Sequence, residues 1–316
     1  MPIPCSMGIM AHNEEANIGR LLEAIFTQRT KHVALTEIVV VASGCTDDTE
    51  AIVLECAKRD PRIRLIVQEK RTGKAAAVNL YLPQAKEKII ILCSADLIPE
   101  ADAVEQLVLP FRDLEVGMTS SRPVPVNDPR GFMGFAAHML WDLHHKVALA
   151  SFKAGEMIAF RKIFERIPFH TAVDEASIEP VIRGQGYQVQ YVPSAVVRNK
   201  GPETVADFLR QRRRIYSGHL AVRDTLGYTV STMSPGRIFL IMLRQLDWRP
   251  RNFLWTWTIV ALEAYGRLLG INDYKKRRDH RVWEVATTTK QLKVLINSAG
   301  DAASLPEPVN QLKVGP

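Results

Sequence analysis

The run Ile89-Ile90-Ile91-Leu92 limits the folds open to this chain more than any other stretch. Four large aliphatic residues without alternation suit a strand buried on both faces of a parallel sheet. Glu87 and Lys88 precede the run and Ser94-Ala95-Asp96 follow it, so it is far too short to cross a bilayer. Pro99 then bars an immediate continuation of the ladder. Ligands of open α/β sheets bind beyond the carboxyl ends of the strands. A carboxylate there, Asp96, is well sited to hold a hard cation and through it a phosphate. It serves equally well as a turn residue, or as a cap for a helix near Glu100-Ala101-Asp102. The run alone does not choose.

The chain around it repeats the pattern. Ser6–Met10, Glu37–Val41 and Ile63–Val67 read as further strands. Between them lie helical segments: Ala16–Phe26 with Ile18, Leu21, Leu22 and Ile25 on one face, Thr49–Lys58, and a third opening at Lys74. Strands alternating with helices predict a parallel sheet with right-handed crossovers. After the first strand, Asn13, Glu14 and Glu15 serve either a ligand or a helix start, as cap and dipole-favoured acids. Arg71-Thr72-Gly73-Lys74 is a basic turn at a helix N-terminus, a place for a phosphate. It is not a Walker loop, since the leading glycine and the Ser/Thr after the lysine are missing.

Beyond Leu114 the regularity fades. Val116–Ser121 reads as a strand, with Pro123, Pro125 and Pro129 marking a loop. Gly134–Ala150 reads as a helix carrying Trp141 and His138, His144 and His145. These histidines lack the i, i+4 pairing of a helical zinc site, so packing or acceptor contact is expected. Phe152–Phe160 is a strand approached through Gly155-Glu156; Asp174-Glu175 opens a helix closed by Gly184 and Gly186; Gln188–Val192 alternates as a strand. Asp207–Tyr216 is a strongly basic helix.

At 316 residues, with 47% hydrophobic and 24% charged residues, the chain can bury a sizeable globular core. Its formal charge is +7, but Arg198–Arg281 alone hold 17 Lys and Arg against 7 Asp and Glu. Such asymmetry predicts a surface for phosphates, anionic lipid or nucleic acid. The basic helix lacks any recognisable nucleic-acid motif, so no nucleic acid partner is expected. Ile238–Leu246 and Phe253–Leu262 are apolar but too short to span. Phe253, Trp255 and Trp257, with Arg249, Arg251 and Arg267, fit an interfacial amphipathic helix, or one buried against the main domain. The tail after Ser298, with Pro306, Pro308 and Pro316, is expected to fray. Cys5, Cys45, Cys56 and Cys93 are widely spaced and predict reduced thiols. The first residues show neither the basic nor the apolar region of a signal peptide, and a cytoplasmic location is expected.

Seven short stretches, in order, resemble the inverting family-2 glycosyltransferases of GT-A fold. Ala11-His12-Asn13-Glu14-Glu15 looks like the family's P-x-Y-N-E loop, and Ser43–Thr49 its D-D-G-S-T-D-x-T turn. Gly73-Lys74-Ala75 with Ala77-Val78-Asn79 is similar to G-K-x-x-A-x-N, and Ser94-Ala95-Asp96 with Ile98-Pro99 to D-A-D-x-x-P. Gly155-Glu156-Met157 resembles the acceptor-side glycine turn, Asp174-Glu175 the E-D pair, and Gln211–Ile215 the Q-x-x-R-W motif. The resemblance spans roughly residues 6 to 218. It implies a Rossmann-like, mostly parallel sheet flanked by helices over residues 1–218, with a helical C-terminal extension over 219–316. It implies a nucleotide-sugar donor held by Ala11, His12, Asn13, Glu14, Ser43, Lys74, Ser94, Ala95, Gln211, Arg213 and Arg214. Mg²⁺ or Mn²⁺ would sit on Asp96. Gly155, Glu156 and Trp141 would meet a sugar or lipid-linked acceptor, with Glu175 as base and Asp174 in reserve. Peripheral contact with an anionic membrane is a further expectation.

Three features depart from the family pattern. Ser94 replaces the first aspartate of D-x-D, and Ala42 and Ser43 stand where the nucleotide-side aspartates would be, so uracil recognition loses its carboxylates. The acid pair is inverted, and Ile215 replaces the tryptophan. Two other readings compete: a non-catalytic sugar-nucleotide-binding protein with a decayed site, and a nucleotidyltransferase. The latter requires a glycine- and arginine-rich loop after the first strand, which Ala11–Glu15 is not.

Overall fold

The computed structural model describes residues 1–168, 174–233, 235–243 and 246–278. The side chains of Asp174 and Phe239, and the polar tail from Ser298, lie outside the described residues. In chain order the elements begin β1 (Ile3–Ala11), α1 (Ile18–Phe26), β2 (Val33–Ser43), α2 (Thr49–Arg59), β3 (Ile63–Gln68) and α3 (Lys74–Tyr81). There follow β4 (Ile89–Ser94), β5 (Ile98–Pro99), α4 (Ala103–Val108), β6 (Val116–Pro125), α5 (Phe132–Ala150) and β7 (Met157–Arg161). Last come α6 (Asp174–Gly184), β8 (Gln188–Asn199), α7 (Val205–Leu226), α8 (Pro235–Leu243) and α9 (Pro250–Lys275).

These strands form one sheet in the order β3-β2-β1-β4-β7-β6-β8-β5. The half built from β1 to β4 is parallel, as the alternating pattern predicts. The other half is mixed: β7 runs antiparallel to β4 and β6, β8 parallel to β6, and β5 antiparallel to β8. Ile89–Leu92 are buried because a core lies on each face of β4. Ile89 and Ile91 join α1, α2 and α4 on one side; Ile90 and Leu92 join Tyr81, Phe160 and Ile178 on the other.

Three expected boundaries shift. Pro123 and Pro125, expected in a loop, lie within β6. Prolines at alternate positions withhold their N–H groups from one strand edge, and β7 has left β6 beyond Ser120. On the other edge β8 continues through Asn199. Pro99 likewise sits in a strand, but a two-residue one at the sheet edge. Finally, α7 runs unbroken through the expected 218/219 division, and α9 packs along it. A Cβ on Gly270 would lie 2.8 Å from the Arg213 carbonyl oxygen, and one on Gly266 2.8 Å from the Arg212 Cβ. Small residues let the two helices approach closely. No helix among the described residues is long and apolar enough to cross a membrane.

Candidate active site

The strand ends of the parallel half open into a cleft of ≈ 1380 Å³. Its far wall is formed by α5, α7 and α9. At the sheet end, the loops after β1 and β2 are clamped together. Asn13, in left-handed backbone at φ 52°, accepts from the Thr46 N–H at 2.8 Å and donates to the Thr46 hydroxyl at 3.1 Å. Asparagine tolerates that conformation better than most residues. Asp47 accepts from the Glu15 N–H at 3.0 Å and from the Thr49 hydroxyl at 2.6 Å, which together hold its carboxyl below the usual range. His12 Nδ1–H donates to the Ser43 carbonyl at 2.7 Å, and the Ser43 hydroxyl to Gln68 Oε1 at 2.6 Å. Asn13 ties the two loops together, and α1 starts later, with Asn17 at its N-cap position. Gly44 must be glycine here, since a Cβ at φ +57° would lie 2.7 Å from the Arg71 nitrogen.

The floor of the cleft carries a charged group. Lys74, first residue of α3, lies 2.9 Å from Glu175 Oε1 at the start of α6. Asp96 follows β4, and Glu156 precedes β7. Burial, reinforced by the neighbouring Asp96 carboxylate, pushes the Glu156 carboxyl up to about 8, although Asn199 Nδ2 donates to its Oε2 at 2.8 Å. Glu156 therefore holds its proton at neutral pH. Gly155 is needed by close approach, not by dihedral: a Cβ there would lie 2.6 Å from the Ser121 carbonyl oxygen. Its N–H donates to the Ser120 hydroxyl, and that of Met157 to the Ser121 hydroxyl at 3.2 Å. These bonds fix the strand entry that aims Glu156 at Asp96.

The helical wall holds residues that the motifs did not mark. Lys153, just before Gly155, faces Arg212, Glu263 and Arg267, and the cost of burial lowers its ammonium to about 8. His144 Nε2–H donates to the Ala154 carbonyl at 3.0 Å; burial holds the ring far below its ordinary value, at about 3. Trp141 packs edge-on against His144. His138 donates to the Asn127 carbonyl at 2.9 Å, and His145 meets the Tyr191 hydroxyl at 2.8 Å. Arg213 is committed to Asp273 of α9, a fully buried carboxylate, with Nη2 to Oδ1 at 2.5 Å. Gln211, Arg213 and Arg214 line the cleft, as do Ala11, His12, Glu14, Ser43, Ser94 and Ala95; Asn13 is not among its lining residues. Arg71 also lines the cleft. The sequence signal for Lys153 was its isolation between two apolar segments; Glu263 and Arg267 of α9 gave none.

Trp255 packs edge-to-face on Phe132 and Phe135 of α5, so part of the C-terminal aromatic cluster is internal. Trp248, Leu254 and Leu240 stay exposed.

The description "Glycosyl transferase family 2" matches residues 6–179. Among curated proteins, a poly-beta-1,6-N-acetyl-D-glucosamine synthase of Staphylococcus aureus is 23% identical over 241 residues, covering 71% of this chain and 56% of that protein. A dolichyl-phosphate beta-glucosyltransferase of Trichomonas vaginalis is 27% identical over 152 residues, covering 42% and 44%. The chain thus spans about half the length of these relatives. Among solved structures, a mannosyltransferase from Pyrobaculum calidifontis, in complex with GDP-Man and Mn²⁺, aligns over 92% of this chain and 87% of its own, with TM-score 0.56 and 22% identity. Glucosyl-3-phosphoglycerate synthase from Mycobacterium tuberculosis, in complex with Mn²⁺, UDP and glucosyl-3-phosphoglycerate, aligns over 71% and 80%, with TM-score 0.50 and 20% identity. The sheet order, the cleft and a family match over more than half of its length agree: this chain belongs to glycosyl transferase family 2.

Proposed function

We propose that the chain is an inverting glycosyltransferase moving a sugar from a nucleoside-diphosphate sugar to an acceptor hydroxyl. The Lys74–Glu175 pair carries this reading, because it joins the two halves of the chemistry in one contact of 2.9 Å. Charge develops on the diphosphate as the sugar leaves, and Lys74 at the start of α3 is placed to stabilise it. A carboxylate on the opposite side must take the acceptor proton. An arriving diphosphate competes with Glu175 for Lys74, leaving Glu175 to act as that base, with Asp174 in reserve. Protonated Glu156 presents an O–H donor to the acceptor beside Trp141.

The residues fit a divalent cation of the Mg²⁺ or Mn²⁺ kind. Among the described residues no three His, Cys, Asp or Glu converge on one point, so no closed protein cage competes for the ion. Such ions take one or two carboxylates and fill their remaining positions with phosphate oxygens and water. Asp96 would be the principal protein ligand, and the ion would neutralise the diphosphate. Of the residues expected at the nucleotide, Arg213 contributes through its bond to Asp273, by fixing α7 against α9.

The acceptor is a sugar or a lipid-linked molecule, and the setting is cytoplasmic with peripheral membrane contact. Exposed Trp248, Leu240 and Leu254, beside Arg249 and Arg251, support that contact. Trp248→Glu should abolish flotation with anionic vesicles at low salt; equal flotation of both proteins rejects membrane contact.

The donor reading is tested by thermal shift against nucleoside diphosphates and sugar nucleotides, with and without Mn²⁺. A ligand specific to the folded state raises the midpoint by mass action. We expect an Mn²⁺-dependent rise that Lys74→Ala removes. A panel without any such rise rejects the reading.

A further inference from the structure

Away from the floor, the helical wall of the cleft is lined by large apolar side chains that are only half covered. Met133, Leu140 and Leu143 of α5, Ile238 and Met242 of α8, and Val260 of α9 all line it, and all six are half-buried. A packed core would cover such side chains from every direction. Here they keep apolar surface towards the cleft, and an apolar ligand displaces water from it favourably. The α9 charges that share this wall, Glu263 and Arg267, are bound to each other at 3.0 Å.

The apolar stretch runs from the floor to the surface. Its inner end is Trp141, packed on His144, whose ring is tied to the Ala154 carbonyl beside Gly155 and Glu156. From Trp141 back to Met133 is eight residues, about 12 Å along α5. Phe132, next to Met133, packs at 5.7 Å on Trp255, which adjoins the exposed Leu254. Exposed Trp248 stacks on Phe253 in the first turn of α9, at 5.8 Å. The outer end therefore reaches an exposed apolar patch. Beside it, α8 is apolar on both of its faces: Ile238 and Met242 line the cleft, while Leu240 and Leu243 are exposed and do not. Its nine residues are too few to span a bilayer, and a helix of this kind suits the boundary of one. A free sugar has use for neither the apolar wall nor the patch at its end.

We infer that the groove between α5, α8 and α9 holds the hydrocarbon chain of an amphiphilic acceptor and leads its hydroxyl to the Lys74–Glu175 floor. The hydroxyl's part rests on the glycosyl transfer proposed above; the binding of a hydrocarbon chain does not. Of the two acceptor classes named there, the groove selects the lipid-borne one.

The test is calorimetric titration of the full chain with n-alkyl β-glucosides, hexyl to decyl, below their micelle concentrations and without nucleotide or metal. Affinity should rise about fourfold for each methylene buried. Met242→Gln, on the cleft side of α8, should flatten that rise. Ala264→Phe, one turn from Val260 on the cleft wall, fills the groove without adding a polar group and should end the rise at a shorter chain. Leu243→Gln, on the exposed side of α8, should leave it unchanged. Where both α8 variants flatten the rise, or Met242→Gln fails to fold, Ala264→Phe decides. Affinity independent of chain length overturns the groove. So does a rise that survives Met242→Gln and Ala264→Phe but disappears in Leu243→Gln, which places the chain on the outer surface. Donor binding is scored separately, by the Mn²⁺-dependent thermal shift. A donor shift with length-independent glucoside affinity rejects the groove and leaves glycosyl transfer to a soluble acceptor. Length-dependent affinity without any donor shift rejects glycosyl transfer and leaves the groove standing.

Discussion

Replacing Glu156 by glutamine tests the electrostatics of the cleft floor directly. The carboxyl sits half-buried, with Asn199 on one oxygen, and burial plus the Asp96 charge raise it from 4.5 to about 8. Because the folded value lies above the unfolded one, the native state binds the proton more tightly. The associated stability is fully present below about pH 4.5 and drains away as pH rises towards 8. Between those limits the slope for one proton is about 1.4 kcal/mol per pH unit, so the full span amounts to about 5 kcal/mol. Water entering the cleft shortens the span by lowering the native value, but leaves the slope unchanged. Glu156→Gln keeps shape and the Asn199 contact while removing the titration. Urea denaturation in chelator, from pH 5 to 8, should show wild type losing stability faster than the variant, by up to ~1.4 kcal/mol per pH unit. The variant should be the more stable protein at pH 8. Parallel pH profiles for the two proteins would falsify the placement of a protonated carboxyl beside Asp96.

Three other outcomes can be checked. Asp96→Asn should abolish the Mn²⁺-dependent part of nucleotide affinity in a titration while far-ultraviolet circular dichroism stays unchanged; undiminished Mn²⁺ dependence counts against it as the principal ligand. Glu175→Gln should lower turnover by ~10²-fold or more with donor affinity nearly intact, whereas a normal rate with a crippled Asp174→Asn would move the base to Asp174. Asp273→Ala strips the fully buried partner from Arg213 and should cost about 3 kcal/mol in chemical denaturation, since Arg213 is itself 30% exposed and water recovers part of the loss. A cost below about 0.5 kcal/mol, the level of an ordinary surface change, would show that the α7–α9 contact does not depend on the pair.

The parallel half was legible because its signals are local. Continuous β-branched runs in β2 and β4, the Ile18/Leu21/Leu22/Ile25 stripe, and Gly73-Lys74 each announce themselves within ten residues. So did the loop after β1, although Asn13 proved to bind Thr46 across the sheet end, a partner 33 positions away. What the sequence hid depends on distant neighbours. Pro123 and Pro125 read as breakers until β7 is seen to leave their edge free. Trp255 reads as an interfacial aromatic until Phe132 and Phe135 are found around it. The recess at Lys153 joins residues more than a hundred positions apart, and no local pattern encodes it.

The seam between α7 and α9 also divides the labour of the molecule. Residues 6–179 hold the family match, with the clamped loops, Lys74, Asp96, Glu156 and Glu175. Glu263 and Arg267 stand on α9, a helix joined to that half largely through α7, along Gly266 and Gly270. On the function proposed above, the residues placed at the diphosphate can remain fixed while one helix is exchanged. A graft of a foreign α9 that preserves the two glycines and Asp273 would set a different helical wall over the same Lys74–Glu175 floor. In this architecture the helical wall is a replaceable part.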